Sequence, residues 1–468
     1  MGNFFREIFV RDRNITQGHI LKNVVSLAAP LMVGALLQGT QSLVDMFWVG
    51  SLGPASLAAV AMSGIVIMLV FTIVAGIGIG AVSLVSRNVG AGNKSGAGLC
   101  ASQALIFGLA VSLLWAVLGY FCAEKFLALL GADQEVISVG AGYLRVLLVG
   151  NFTLSLLLIN GYILQGAGDV INPMIFMVIA NLFNIVLDPI FIFGIGVPPM
   201  HVCGAAVATI IGQGLALFFA LRLLSHSRSR VRIKFGEIRL RLDIIRDMLR
   251  VGLPTSLQIF FRMAMSMTII RLIAGFGTAA VAAFGIMMRI HINVLLPAFA
   301  LGGAAAALMG QNLGAGNILR AKKSVWTATI IDVLIMFVVG FVFYNFSENI
   351  ISLFSRDPRV LAIGAQSIRI VAFFYVFIAF GVVLNRALGG AGDTVVPMLI
   401  TFVSLWAYLV PAAYFVVHHT QWGLNGIWWA IATSYALNGL LTLVWFEVGR
   451  WKKSRTELYL PASQVVSG

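Results

Sequence analysis

Asn181, Asn184 and Asp188 fall at i, i+3 and i+7 in the run NLFNIVLDPIFIF, a spacing that stacks three polar side chains on one face of a helix. Asp45 interrupts a second apolar run, LVDMFW, downstream of Gln38 and Gln41. In lipid a charged aspartate at mid-span costs about 2.5–3.5 kcal/mol, so each acid must be neutralised, paired or hydrated. An acid so placed can take up and release a proton, or lend oxygen to a hard cation such as sodium. Asp45 and Asp188 are the acids that fall well inside apolar spans of the amino half, which makes them the candidate cation-coupling pair, with Asn181 and Asn184 beside them. The plainer alternative is that both only hydrogen-bond neighbouring helices. Pro189 cannot donate to the carbonyl of Ile185, nor Pro30 to that of Ser26; such freed carbonyls bend a helix or offer oxygen to a cation.

Other residues point less sharply. Arg262 stands within an apolar segment among Phe260, Phe261, Met263, Met265 and Met267, with Met287 and Met288 one helix further on. Apolar, deformable side chains of this kind suit the wall of a polyspecific substrate cavity, with Gln38 and Gln41 as polar members, although each also suits ordinary packing or a lipid-facing surface. Arg145 and Arg369 are expected to bind carbonyls or to snorkel. Cys100, Cys122 and Cys203 are unclustered and read as small core residues, neither a disulfide framework nor a metal site. No nucleophile–base arrangement appears, so an enzyme is not expected.

The elements that must hold these residues follow from composition. With 60% hydrophobic and 10% charged residues and a mean hydropathy of +0.98, the chain lacks the polar surface of a soluble globule. Apolar runs of about 20 residues, the length of a membrane-spanning helix, recur at 23–49, 55–86, 98–121, 137–164, 171–195, 203–224, 247–274, 279–310, 322–346, 359–388, 395–418 and 425–449. The first twenty residues hold no continuous apolar core, so a cleaved signal peptide is not expected. The net charge of +14 sits in alternate loops: Arg6, Arg11, Arg13, Lys22, Arg87, Lys94, Arg320, Lys322, Lys323, Arg450, Lys452, Lys453 and Arg455 share one side with 222–250. The positive-inside rule then places both termini in the cytoplasm of a multi-pass inner (plasma) membrane protein, and the charge needs no nucleic acid to explain it.

A constant offset of 224 residues relates the halves. It carries Pro30 onto Pro254, Asp133 onto Asp357, Arg145 onto Arg369, the loop Asn88–Asn93 onto Asn312–Asn317, and Gly166-Ala167-Gly168-Asp169 onto Gly390-Ala391-Gly392-Asp393. Duplication of a six-helix unit in parallel orientation is the implied architecture, with a substrate site expected between the halves. The expected organisation is a cytoplasmic segment 1–22, bundles 23–224 and 247–449, a basic linker 225–246 and a tail 450–468. The linker reads as a solvated tether or an amphipathic surface helix. Features repeated in both halves belong to the scaffold: the paired glycines as tight turns, Asp169 and Asp393 as turn or cap residues. Asp45 and Asp188 meet Ile269 and Ala412 at the offset, so the acid pair occurs once.

Gln38, Gln41 and Asp45 followed by Trp48-Val49-Gly50, the paired Gly-Ala-Gly-Asn loops, Gln165–Asp169, and Asn184 with Asp188-Pro189 together resemble the MATE (multidrug and toxic compound extrusion) family over about residues 20–450. The resemblance implies twelve helices in two six-helix bundles forming a V, and export of mostly cationic, amphipathic compounds against proton or sodium entry. It is closer to the DinF-like branch, whose acids in the first and fifth spans match Asp45 and Asp188, than to the NorM-like branch, whose seventh-span glutamate falls about where this chain has Arg262. By the same resemblance Tyr143, Asn184 and Thr209 join the coupling network. The expected partners are small organic substrates and the lipid bilayer, with a monomeric protein and no cofactor; the coupling ion is a proton, with sodium as the alternative. A lipid-linked oligosaccharide flippase is the rival function, for which Arg262 is the main hint.

Overall fold

The computed structural model describes residues 14–226, 230–234 and 239–453, and its regular elements are all helical. The amino half contains α1 (Ile20–Gly50), α2 (Pro54–Gly90), α3 (Lys94–Leu129), α4 (Gln134–Val149), α5 (Asn151–Ala167), α6 (Ile171–Phe193) and α7 (Val202–Ser225). The carboxy half contains α8 (Leu242–Ala274), α9 (Thr278–Val294), α10 (Leu296–Gly314), α11 (Ile318–Asn345), α12 (Ser347–Ser352), α13 (Pro358–Ala372), α14 (Tyr375–Ala379), α15 (Asn385–Gly390), α16 (Val395–Phe402), α17 (Val410–His419) and α18 (Gly423–Val448), with wide π-type turns at Phe380–Leu384 and Val403–Leu409. Among the described residues ten helices are long and apolar enough to cross a bilayer. Two bent pairs, α4 with α5 (46°) and α13 with Tyr375–Gly390 (60°), bring the number to twelve.

Two compact units emerge, and the chain changes unit inside helices. Ala29–Leu253 belongs to one unit, while Ile15–Ala28 and Pro254–Arg455 belong to the other. The crossings therefore fall beside Pro30 in α1 and at Pro254 in α8, where the backbone lacks an N–H donor and the ladder of helical hydrogen bonds is weakest. The amino unit is packed around the second half of α2, with Val74, Ile77, Leu84 and Val85 against Leu127, Leu144, Leu148 and Ile163. Trp428, Tyr375, Leu409 and Met336 occupy the corresponding centre of the carboxy unit.

Repeated sequence features take repeated geometry. Asn93 Oδ1 accepts from Gly96 N at 2.9 Å and Asn317 Oδ1 from Arg320 N at 3.1 Å, capping α3 and α11; Asp133 and Asp357 likewise cap α4 and α13. The second glycine of each paired loop, Gly92 (φ 76°) and Gly316 (φ 74°), sits in the left-handed region that a turn off a helix end demands. Asp169 Oδ1 accepts from Asn172 N, the expected turn role. Its repeat mate Asp393 does something else: Oδ2 accepts from Trp445 Nε1 at 2.9 Å, pinning α18.

One expectation is extended and two need revision. Arg145 binds a carbonyl as expected, its Nε donating to Tyr120 O, and both arginines also pair with acids: Arg145 Nη2 lies 3.1 Å from Glu124 Oε1 and Arg369 Nη2 lies 2.9 Å from Glu348 Oε1. The glutamates obey the same offset (348 − 224 = 124), so the ion pair repeats whole. Residues 230–234 of the linker are neither a helix nor a solvated tether, and 242–246 already form the start of α8. Val231 and Ile233 are buried, Ile233 N donates to Leu224 O, and Gln103 of α3 clasps Arg239 O and Arg241 N; alternating apolar residues strap it to the amino unit. Finally, Met287 is only 3% exposed and packed in the carboxy core, which is scaffold rather than cavity wall. Residues 1–13 of the expected segment 1–22, residues 227–229 and 235–238 of the linker, and the tail from 454 lie outside the described residues.

Candidate cation site

Helix α6 carries the site because its i, i+3, i+7 polar positions face inward. Asn181, Asn184 and Asp188 are all buried, Asp188 completely. The neighbouring α7 comes close enough to complete it: a Cβ on Gly212 would lie 2.7 Å from Ala180 O, so only glycine admits that approach. Asn184 Nδ2 then donates both to Asp188 Oδ1 and to Thr209 Oγ1 of α7, each at 3.1 Å. Asn181 Nδ2 reaches across to Leu37 O of α1 at 2.7 Å. Through that contact α1 is registered against α6, and the half-buried Asp45 comes into electrostatic range of Asp188. Tyr143 of α4 lies in electrostatic range of both acids and packs with Val49, Ile192, Val202 and Ala205. All six residues expected to form the coupling network are thus brought together in the amino unit.

The hydrogen-bond inventory of this cluster is unbalanced. Asp45 Oδ1, Asp188 Oδ2, Asn184 Oδ1 and Asn181 Oδ1 are buried with no partner among the described residues. Every one is an acceptor, and the amide donors of Asn181 and Asn184 are already engaged. A buried polar atom without a partner costs about 1–3 kcal/mol. Two things relieve an excess of oxygen: a proton shared between the carboxyls, since an ionised carboxylate can only accept, or a small hard cation ringed by oxygens. The geometry is one that a single added positive charge would satisfy. Pro189, the next residue, leaves the carbonyl of Ile185 without its helical donor.

The remaining expected residues are dispersed. Gln38 is exposed and Gln41 half-buried on α1; with Asp45 they repeat the i, i+3, i+7 spacing seen in α6, a signal that marks one face of α1 from sequence alone. Phe260 is exposed and Met263 half-buried. Phe261 packs on Phe402 (5.2 Å between ring centroids), and its carbonyl accepts from Trp406 Nε1. Arg262, exposed, belongs to the carboxy unit. Sequence reasoning passed over Asp332, in the run TIIDVLIMF of α11. It is fully buried, and neither carboxylate oxygen has a partner among the described residues. A lone acid in an apolar run was the available signal.

Two helical bundles that cross the membrane, one with a buried acid pair in an oxygen-rich, donor-poor cluster, define a multi-pass membrane protein of transporter type. The chain belongs to the MATE family, a family of membrane transporters: the MatE family model matches it twice, over residues 30–190 and 254–415. It is 29% identical over 441 residues to "Probable multidrug resistance protein NorM" of Thermotoga maritima, covering 93% of this chain and 94% of that one. It is 28% identical to "Probable multidrug resistance protein YpnP" of Bacillus subtilis, covering 94% and 97%. A solved MOP-superfamily transporter from Pyrococcus furiosus superposes with a TM-score of 0.87 at 28% identity, covering 94% of this chain and 98% of that one.

Proposed function

We propose that this chain is a secondary active multidrug efflux transporter that admits a cation, a proton, in exchange for outgoing amphipathic and mostly cationic organic compounds. The observation that carries this reading is the cluster of four buried oxygens without donors around Asp45 and Asp188. The names of the relatives supply the cargo class. In the proposed cycle the pair holds a proton while open to the outside. Release of that proton to the cytoplasm leaves two like charges facing each other, which is costly in a low-dielectric interior. Cation occupancy and the bend of α1 and α6 at Pro30 and Pro189 are thereby linked, so alternating access follows the charge state. One charge crossing about 100 mV is worth roughly 2.3 kcal/mol, enough for a gradient of about fifty-fold. A monovalent cationic cargo leaving for one proton cancels the voltage, and the pH difference alone then drives export. The basic loops support a topology with both termini in the cytoplasm.

The test is transport in proteoliposomes with norfloxacin, a fluorescent compound bearing one amine and one carboxylate. Asp45→Asn and Asp188→Asn proteins, inserted at wild-type levels, are expected to lose uphill export under an imposed pH gradient. Full export by either variant overturns the proposal. Export by the wild type under a sodium gradient alone, with none under a pH gradient, replaces the proton by sodium.

A further inference from the structure

The carboxy unit contains a basic cluster that cation exchange does not use. Arg262 of α8 is exposed, and its electrostatic neighbours are Tyr435 of α18, Arg386 of α15 and His291 of α9, with no carboxylate among them. Arg386 places its guanidinium 4.9 Å from the centre of the Phe299 ring. His291 is stacked between Tyr435 (5.3 Å, 4°) and Tyr375 (5.9 Å, 25°), and its Nε2 lies 3.3 Å from the Tyr435 hydroxyl. Arg262, Tyr435, Arg386 and His291 come from four different helices, and the last three all lie within electrostatic range of Arg262.

Two guanidinium groups in mutual range without an acid are costly inside a membrane-spanning bundle. An anion lowers that cost, and the planar fork of arginine matches a carboxylate or phosphate bidentately. Rigid tyrosine and phenylalanine rings beside the charges offer a surface for a flat or apolar body. The amino half shows that the scaffold does not need the cluster. At the offset of 224, positions 262, 291 and 386 become Gln38, Ile67 and Tyr162, which are uncharged, just as Asp45 and Asp188 have no acidic mates in the carboxy half. The acid pair stands in one bundle and the arginine cluster in the other, Asp332 of α11 being a lone buried acid that is not among the electrostatic neighbours of Arg262.

We propose that the carboxy unit binds the acid group of the cargo, an organic carboxylate or phosphate on an aromatic body, between Arg262 and Arg386 with the Tyr435 hydroxyl as a further donor. This rests on reading the chain as an exporter and narrows its cargo to compounds that carry an acid group, zwitterions included. It also changes the energetics: a cation entering and a purely anionic cargo leaving both move positive charge inward, so an inside-negative voltage adds to the pH difference instead of cancelling.

Binding tests this independently of transport. Purified protein in phosphatidylcholine nanodiscs is titrated with three pyrene probes of equal length: pyrenebutyrate, neutral pyrenebutanol and a pyrenebutyl-trimethylammonium cation, with empty discs as blanks. Wild type is expected to favour the carboxylate over the alcohol by about ten-fold or more. Arg262→Gln, the residue of the matching amino-half position, is expected to lose about ten- to a hundred-fold for the carboxylate only. Arg262→Lys recovers part of the loss, and unchanged alcohol binding certifies the fold. Asp45→Asn keeps carboxylate binding even where it abolishes transport, so failure of the exporter reading is seen separately. Equal affinity for all three probes, or an unaltered Arg262→Gln, overturns the proposal. So does loss of pyrenebutyrate binding in discs containing phosphatidylglycerol, which assigns the cluster to a lipid headgroup instead.

Discussion

Replacing Asp188 by asparagine is expected to stabilise the protein while abolishing coupled transport. Asp188 is fully buried, and its Oδ1 accepts from Asn184 Nδ2 at 3.1 Å while Oδ2 has no partner among the described residues. In Asp188→Asn the carboxamide oxygen keeps the bond from Asn184, which forces the new NH2 group into the place of Oδ2. Two N–H donors then enter a cluster whose free groups, Asp45 Oδ1 and Asn184 Oδ1 among them, are all acceptors. Each new bond to a buried acceptor contributes about 1 kcal/mol net, and with two formed the gain is about 2 kcal/mol, a rise in Tm of a few degrees. The assay is thermal unfolding in detergent followed by tryptophan fluorescence, paired with norfloxacin export from proteoliposomes. A Tm several degrees below wild type together with lost export refutes the reasoning, because the carboxylate would then be a structural partner and not a site kept short of donors for a cation. Stability sacrificed at a functional site and regained by a neutral substitution is the pattern expected of such a site.

Asp332→Asn, by contrast, is expected to export at wild-type rates with equal or higher Tm, since the proposed coupling acids lie in the amino unit; a loss of uphill export would assign a cation role to α11. Pro189→Ala restores the backbone donor to the carbonyl of Ile185 and removes a helix-breaking residue; its expected signature is higher Tm with slower turnover, and unchanged turnover argues against bending at that position. The Arg145–Glu124 pair is exposed, with side chains 39% and 64% accessible, so a double-mutant cycle through Arg145→Gln and Glu124→Gln is expected to yield less than about 1 kcal/mol of coupling. Burial pushes the Asp393 carboxyl above its ordinary value, with the Trp445 hydrogen bond pulling the other way. A raised acid makes its stabilising contribution below the unfolded-state value and loses it as pH rises through the folded one. Asp393→Asn should therefore gain stability over wild type near pH 7, the gain shrinking toward pH 4 in thermal unfolding across that range.

The architecture and the acid pair were legible because lipid imposes a strict rule. Apolar runs of fixed length announce spans, and Asp45 and Asp188 stand out as exceptions to them. The α6 face was readable from the spacing of Asn181, Asn184 and Asp188, since all three partners lie on one helix. What escaped the sequence depends on contacts between helices. The glutamate partners of Arg145 and Arg369 lie 21 residues away along the chain in each half, and no local pattern joins them. The strap of the linker onto α3 hangs on Gln103 meeting two backbone groups more than a hundred residues distant. The bends after Val149 and Ala372 and the π-type turns at Phe380–Leu384 and Val403–Leu409 follow from packing inside each bundle, without a proline at three of the four. Met287 could not be told from the exposed Phe260 by residue type, because both wall and core of a membrane bundle are apolar.

Proton release on cargo binding reads the central pair most directly. In weakly buffered detergent solution, saturating norfloxacin added to wild-type protein is expected to liberate about one proton per protein, and to liberate none from the Asp45→Asn/Asp188→Asn double variant although the compound still binds. Equal release from both proteins would place the exchanged proton elsewhere and contradict the account.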